Sequence, residues 1–197
     1  MATQKETIKE YYPSFEKDYN SKIIDLINHN QEHVEYSHKI RGRWENHYLG
    51  LEYVPEIKAV LSFACKVAID LTPHSVIVPH KALGFSMDEY WFNIAKPGES
   101  TGWHDHKEKA ELSGVYYLAV PHRSGDIQFR RNLKSGSEEW SASSKSGKLI
   151  LFDSKLEHSV TENNSDSNRI SLAFNLYTLP LEYDMSSNTY STNKFYS

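Results

Sequence analysis

Two histidines one residue apart, His104 and His106, stand in Gly102-Trp103-His104-Asp105-His106, ahead of the apolar run Leu112-Ser113-Gly114-Val115-Tyr116-Tyr117-Leu118. Side chains alternate across a strand with period two, so this pair points to one side and can hold one metal ion between its ring nitrogens. Leu149-Ile150-Leu151-Phe152 reads as a strand that delivers Asp153 and then His158, and Arg169-Ile170-Ser171 follows eleven residues after that histidine. Three imidazoles on one face of a metal leave positions open for substrate and oxygen. Arg169 supplies a planar fork that can grip a carboxylate in two places, and Ser171, on the same strand face, adds a hydroxyl. Taken singly, each histidine reads as a surface residue, and Arg169 as a strand-edge partner for Glu162 or Asp166. Their joint register is what points to metal chemistry.

The elements that must position these groups can be read in outline. Ser14, after Pro13, is a candidate N-cap, and Phe15, Tyr19, Ile23, Leu26 and Ile27 recur at helical spacing until Asn28-His29-Asn30. Pro55 suits the first turn of a second helix whose apolar face is Ile57, Val60, Leu61, Ala64, Val67, Ala68 and Leu71, and Pro73 ends it. Residues 1–12 read as frayed or loosely helical. The stretch 31–53, rich in His, Arg, Tyr and Trp without periodicity, reads as loops at a surface or pocket rim. Strand-like segments follow at 75–78, 89–95, 111–120, 126–130, 140–141, 148–152 and 170–177, separated by turn signals such as Lys96-Pro97-Gly98 and Ser124-Gly125. Two helices followed by about eight short strands argue for a mainly β fold with N-terminal helices. The expected architecture is a double-stranded β-helix, the cupin-like jelly roll, with helices buttressing one sheet. The expected division is 1–74 as a helical region on the sheet, 75–180 as the catalytic core and 181–197 as a flexible tail, all within one structural domain.

The bulk composition narrows the function classes. A chain of 197 residues with net charge −4 presents no broad basic surface for nucleic acid. The single cysteine, Cys65, rules out an internal disulfide framework and reads as a small buried hydrophobe in a reducing, cytoplasmic setting. No signal peptide or long apolar run is visible, so no membrane is expected. The oligomeric state is open, with a homodimer allowed. The other histidines lack metal spacing inside a strand; His29 and His33 are four apart, as ligands on a helix would be, but Asn28, Asn30 and Gln31 around them read as a fraying terminus. Arg123, Arg130, Arg131 and Lys134 read as a solvated loop face more readily than as a site for an acidic group, and Trp103 as a pocket wall or a packing residue.

From Glu89 to Tyr177 the chain resembles the iron(II)/2-oxoglutarate-dependent dioxygenases, in particular a branch of small oxygenases. The words that carry the resemblance are Trp91-Phe92-Asn93, His104-Asp105-His106, Ser113-Gly114-Val115-Tyr116-Tyr117, Ser124-Gly125 with Phe129, Gly147-Lys148-Leu149 with Phe152, His158, and Arg169-Ile170-Ser171 with Phe174-Asn175. The resemblance implies Fe(II) held by His104, His106 and His158, and 2-oxoglutarate whose distal carboxylate meets Arg169 and Ser171. Tyr117 is a helper and Asn93 a further candidate. It also implies O2 and a small-molecule substrate, hydroxylated as 2-oxoglutarate becomes succinate and CO2.

One departure stands out, because the family's general rule is two histidines and one carboxylate, and His106 fills the carboxylate position. Three arrangements follow. The three histidines suffice, Glu111 joins them from the face shared by residues 111, 113, 115 and 117, or Asp105 turns inward. The first is preferred, with Glu111 next. A competing resemblance is to cupins, for which Gly98, His104, His106, Glu111 and His158 have suitable spacing for a His-His-Glu-His site that works without 2-oxoglutarate. Asp153 and Lys155 depart from that motif, and Arg169 and Ser171 have no task in it. A non-enzymatic jelly-roll binding module would leave the histidines unexplained.

Overall fold

The apolar periodicities of the N-terminal third become two helices, α1 (Tyr19–His29) and α2 (Ile57–Val67). Their buried residues, Ile23 and Ile27 on α1 and Ile57, Val60, Leu61 and Ala64 on α2, are those the helical spacing selects. The computed structural model describes residues 8–40, 43–106, 110–133, 136–181, 183–184 and 189–190. The expected mobile tail and Lys134 therefore lie largely or wholly outside the described residues, as do residues 1–7. Helix α1 begins after Asp18 rather than at Ser14. Phe15, which fits the helical spacing, stacks instead on Tyr19 at 4.2 Å and meets the edge of Tyr116 at 5.9 Å.

The strands are β1 (Ile8–Tyr11), β2 (Glu35–Ile40), β3 (Arg43–Tyr48), β4 (Val76–Ile77), β5 (Tyr90–Ala95), β6 (Thr101–His104), β7 (Leu112–Ala119), β8 (Ile127–Leu133), β9 (Gly136–Ala142), β10 (Leu149–Asp153), β11 (Glu157–Val160), β12 (Arg169–Thr178), β13 (Tyr183–Asp184) and β14 (Thr189–Tyr190). Eight form the larger sheet in the order β1-β10-β7-β12-β5-β3-β2, with β4 on the end of β12, and four form the smaller sheet, β6-β11-β8-β9. Consecutive neighbours far apart in sequence, such as β7 and β12, give the double-stranded β-helix expected from the pattern.

Two readings of the N-terminal region are corrected. Ile8–Tyr11 is a strand paired with β10, not a frayed helix. It is fixed by Glu10, whose carboxylate meets the buried Lys148 ammonium at 2.8 Å, and by the Tyr11 hydroxyl, which donates to Asp70 at 2.9 Å. The stretch taken as rim loops is a hairpin, β2 and β3, that extends the larger sheet beyond β5. It alternates no apolar face because one side of it borders a polar cavity, so the periodicity that reveals other strands is missing.

Alternation on the larger sheet then sorts the side chains. Tyr90, Phe92, Tyr116, Leu118, Leu149, Leu151, Leu172 and Phe174 pack under the two helices in the main core. Tyr117, Ile150 and Phe152 face inward and meet Ile127, Phe129 and Ala142 of the smaller sheet. The site lies between the sheets. Gly114 marks how tight the helix side is, for a Cβ there would stand 2.3 Å from the Phe174 ring.

Candidate metal centre

Strand pairing sets the inward-facing groups in rows. Ser171 is opposite Tyr117 on one side and Asn93 on the other, Ala173 lies between Val115 and Trp91, and Asn175 is opposite Ser113. On the facing sheet His158 pairs with His104 on one side and Phe129 on the other. All seven expected site residues, His104, His106, His158, Arg169, Ser171, Tyr117 and Asn93, line one cavity of about 1090 Å³.

The three imidazoles converge, with one ligating atom from each lying within 4.8 Å of the others. Ring centroids are 4.1 Å apart for His104 and His158, and 5.4 Å apart for His106 and His158. His104 Nδ1 lies 2.9 Å from the Gly102 carbonyl and His158 Nδ1 lies 3.0 Å from the Leu156 carbonyl. A carbonyl can only accept, so each Nδ1 carries the proton and Nε2 keeps the lone pair. This is the outer-shell bond that fixes a ligating histidine in position. Burial pushes the His158 pKa well below the ordinary histidine value, and the neighbouring His104 and His106 push it the same way. A neutral, oriented imidazole is the form a metal requires, so the donor set fits a divalent iron with open positions.

Deeper in the cavity, Arg169 is 2% exposed. One Nη1 donates to the carbonyls of Ser124 and Thr161. Among the described residues no carboxylate lies within ion-pair distance of this guanidinium, neither Glu162 nor Asp166 included. Burial lowers its pKa, yet an arginine remains charged, so a buried cation faces the cavity without a counter-ion. Beside it Ser171 and Tyr117 present hydroxyls, and burial pushes the Tyr117 pKa up to about 12, so it stays a protonated donor. A cation flanked by two hydroxyls in a dry recess fits the far carboxylate of a dicarboxylate.

Other candidates are placed elsewhere. The Glu111 carboxylate accepts from the Thr72 hydroxyl at 2.8 Å and is not part of the histidine cluster. A strand face shared with residue 113 is therefore not enough: Glu111 precedes β7, where the chain turns toward the helices. The His-His-Glu-His arrangement of the cupin reading is not formed. Asp105 lines the cavity but is likewise outside the cluster. Asn93 accepts from Arg43 at 3.0 Å and donates to the Glu45 carbonyl at 3.1 Å, so its amide is engaged by the hairpin. Arg130 pairs with Glu157 at 3.1 Å and stacks on Trp103 at 4.4 Å, which makes Trp103 a packing residue at that face.

Sequence reasoning missed two inward-facing networks. The ion pair of Arg43 with Glu45 and Glu99, at 3.1 and 3.2 Å, ties the hairpin to the segment before β6. The buried chain Ser113, Asn175 and Glu89 runs across the larger sheet, with Ser113 donating to Asn175 at 3.0 Å and Asn175 to Glu89 at 2.9 Å. The Phe-Asn ending of the last motif was the available signal for Asn175.

Comparison with known proteins agrees with this geometry. Residues 89–175 match the family model described as "Putative 2OG-Fe(II) oxygenase". Curated protein sequences include no match. Among solved structures, the chain is similar to a Pseudomonas putida prolyl-4-hydroxylase, with a TM-score of 0.61 at 18% identity over 87% of this chain and 92% of that one. It is also similar to SnoK, a non-heme alpha ketoglutarate dependent carbocyclase from nogalamycin biosynthesis, with a TM-score of 0.65 at 13% identity over 87% and 80%. The epimerase SnoN, solved in complex with Fe3+, alpha ketoglutarate and nogalamycin RO, aligns with a TM-score of 0.65 at 9% identity over 87% and 79%. These likenesses are of fold, and the family match spans the strands that carry the histidines and Arg169, so this segment is similar to the 2OG-Fe(II) oxygenases and its three-histidine cluster fits an iron site.

Proposed function

We propose that the protein hydroxylates a C–H bond of a small molecule, with His104, His106 and His158 holding iron and Arg169, Ser171 and Tyr117 receiving the distal carboxylate of 2-oxoglutarate. The observation that carries this reading is the buried Arg169 guanidinium, which meets no carboxylate among the described residues, in the same cavity as three converging imidazoles. When bound, iron and 2-oxoglutarate supply the oxidising chemistry, with succinate and CO2 as co-products. The chain supplies the rest. Nε2 lone pairs are aimed by carbonyls behind the rings, the cosubstrate is held by a rigid fork and two hydroxyls, and Phe152, Val115 and Ala173 keep water from the space between. Asn93 acts through its bonds to Arg43 and Glu45 and not on the cosubstrate itself. Three neutral ligands leave the full charge of the ion to be balanced by the cosubstrate, which favours a doubly charged keto acid over a neutral ligand.

No described helix is long and apolar enough to cross a membrane. Together with one partly buried free cysteine, Cys65, this supports a cytoplasmic enzyme. The test is anaerobic titration with Fe(II) and then 2-oxoglutarate, watching for the weak visible charge-transfer band of a chelated keto acid. The band should form in the wild type and be absent in His104→Ala and His158→Ala. Stoichiometric iron retained by both variants would remove the histidines from the assignment.

A further inference from the structure

The ladder of β2 and β3 breaks at His38. Its φ of +57° lies in the left-handed region, which a bulky side chain occupies only at a cost, and such strain collects at functional positions. Ser37 pairs with Asn46 and Lys39 with Trp44, while no pair joins His38 to Glu45. An interruption of this kind re-aims a side chain. His38 lines the same cavity as the three metal-facing imidazoles.

The His38 ring is held by one of its nitrogens. Nδ1 lies 2.7 Å from the Ser37 hydroxyl and 3.3 Å from the Asn46 amide nitrogen. An amide nitrogen can only donate, so Nδ1 carries the lone pair and Nε2 the proton. Among the described residues no acceptor bonds that Nε2–H. The Asn46 amide also donates to the Tyr48 hydroxyl at 3.2 Å, which leaves the phenol its own proton to give. Burial raises the Tyr48 pKa, and the charges of Glu89 and Asp88 add to the rise, so the group stays a donor. One asparagine thus ties together two uncharged donors. Both border the cavity well away from the cosubstrate end. Trp91 shares the row of Ala173, four residues along β12 from Arg169, or about 13 Å at the usual strand rise. Its ring is 6.0 Å from that of His106 and 6.3 Å from that of Tyr48, so the indole adjoins both the metal centre and the phenol.

Two uncharged donors match the two lone pairs of a carbonyl oxygen. Charged groups match them less well. A carboxylate would meet the same acidic field that disfavours the Tyr48 phenolate, and an ammonium offers two donors no acceptor. A planar group next to the carbonyl finds an aromatic face in Trp91.

We propose that His38 and Tyr48 are specificity-determining residues that bind the carbonyl oxygen of an uncharged amide on the primary substrate, with Trp91 covering the adjoining atoms. The substrate is thus a small neutral amide, held at the hairpin with its reacting carbon toward the metal. This rests on the oxygenase reading above. The left-handed His38 then has a task, for it presents the free N–H of the ring to the substrate while Ser37 and Asn46 fix the tautomer.

The test uses the full chain with Zn(II) in place of iron and saturating 2-oxoglutarate. Probes are benzamide, benzoate and benzylammonium, and pentanamide, pentanoate and pentylammonium, with binding read by ligand-observed NMR and by quenching of tryptophan fluorescence. In each set the amide should bind best. His38→Gly and Tyr48→Phe should each weaken the amides by about three- to tenfold, the worth of one neutral hydrogen bond, and change the charged probes by less than about twofold. Glycine accepts a φ of +57° without strain, so His38→Gly should leave the denaturant midpoint unchanged or higher, and its lost binding is then not lost folding. His38→Asn tolerates the same backbone and keeps an amide donor, and should retain part of the preference, which covers the case in which the glycine variant folds poorly. No preference for the amides in the wild type, or an unchanged preference in either His38→Gly or Tyr48→Phe, would overturn the proposal. Binding of 2-oxoglutarate is measured in the same samples. Its failure removes the oxygenase reading, whereas its success without amide selectivity removes only this inference.

Discussion

Replacing Arg169 by Ala separates cosubstrate recognition from metal binding. The guanidinium is 2% exposed and, among the described residues, bonded to the carbonyls of Ser124 and Thr161. A carboxylate arriving there forms a charge-assisted pair in a dry recess, and removing one partner of such a pair costs about 2–5 kcal/mol. At about 1.4 kcal/mol per decade, the dissociation constant of 2-oxoglutarate should rise from about 30-fold to several thousandfold. Two opposing effects act on the cosubstrate-free protein. The variant no longer buries an uncompensated cation, but two carbonyls lose their donor, so its stability should change by less than the loss in affinity. Arg169→Lys keeps the charge and loses the fork, and should fall between the two. The assay is anaerobic titration of the Fe(II)-loaded variants with 2-oxoglutarate, alongside iron stoichiometry. A dissociation constant within about threefold of wild type, or loss of iron in step with loss of 2-oxoglutarate, would refute the reasoning, because His104 and His158 lie on strands of the other sheet.

Glu111→Gln should leave metal affinity unchanged, since the carboxylate is bonded to Thr72 and lies outside the cluster; a weakened iron titration would return it to the ligand set. Gly125→Ala should weaken 2-oxoglutarate binding with iron retained, because φ is +93° and a Cβ would stand 2.8 Å from Arg169 Nη1 and 2.3 Å from the Thr161 carbonyl; equilibrium dialysis of the cosubstrate checks it. Gly114→Ala should lower the unfolding free energy by about 1–3 kcal/mol through overpacking against Phe174 and Leu151, with the denaturant midpoint as readout. His158 is held neutral, its folded pKa well below 6.5, so the unfolded chain binds the proton first. For this group, metal-free stability is whole above the unfolded pKa and is lost as pH falls below about 6.5 toward the folded value, by at most about 1.4 kcal/mol per pH unit. His158→Gln should flatten that part of the stability curve, and an unchanged slope would show that other groups set it.

What could be read from the sequence, and what could not, follows from where each side chain finds its partner. Arg169 with Ser171 needed only the period of a strand, and the His-x-His word carried His104 and His106 into the cluster although β6 ends at His104, so the cavity-lining groups were legible from spacing. Helices α1 and α2 were legible because one face of each is apolar and covers a sheet. The hairpin of β2 and β3 was not, because its inward groups answer to charged partners some 50 residues away, as when Arg43 bonds Asn93, and such pairing leaves no periodic trace. Strand β1 was hidden for the same reason, since the buried Lys148 that fixes Glu10 lies across the sheet. Glu111 misled in the opposite direction. The two-residue period that correctly aligned 113, 115 and 117 was extended one step past the start of the strand, where the backbone had already turned to place the carboxylate on Thr72. Period-two reasoning therefore holds only as far as the ladder continues, and the residues that lie just outside a ladder or face a polar cavity are those for which the long-range partner must be seen before a role is assigned. Glu89 is such a residue: it stands one position before β5, and only the Asn175 amide across the sheet reveals that its carboxylate is oriented inward.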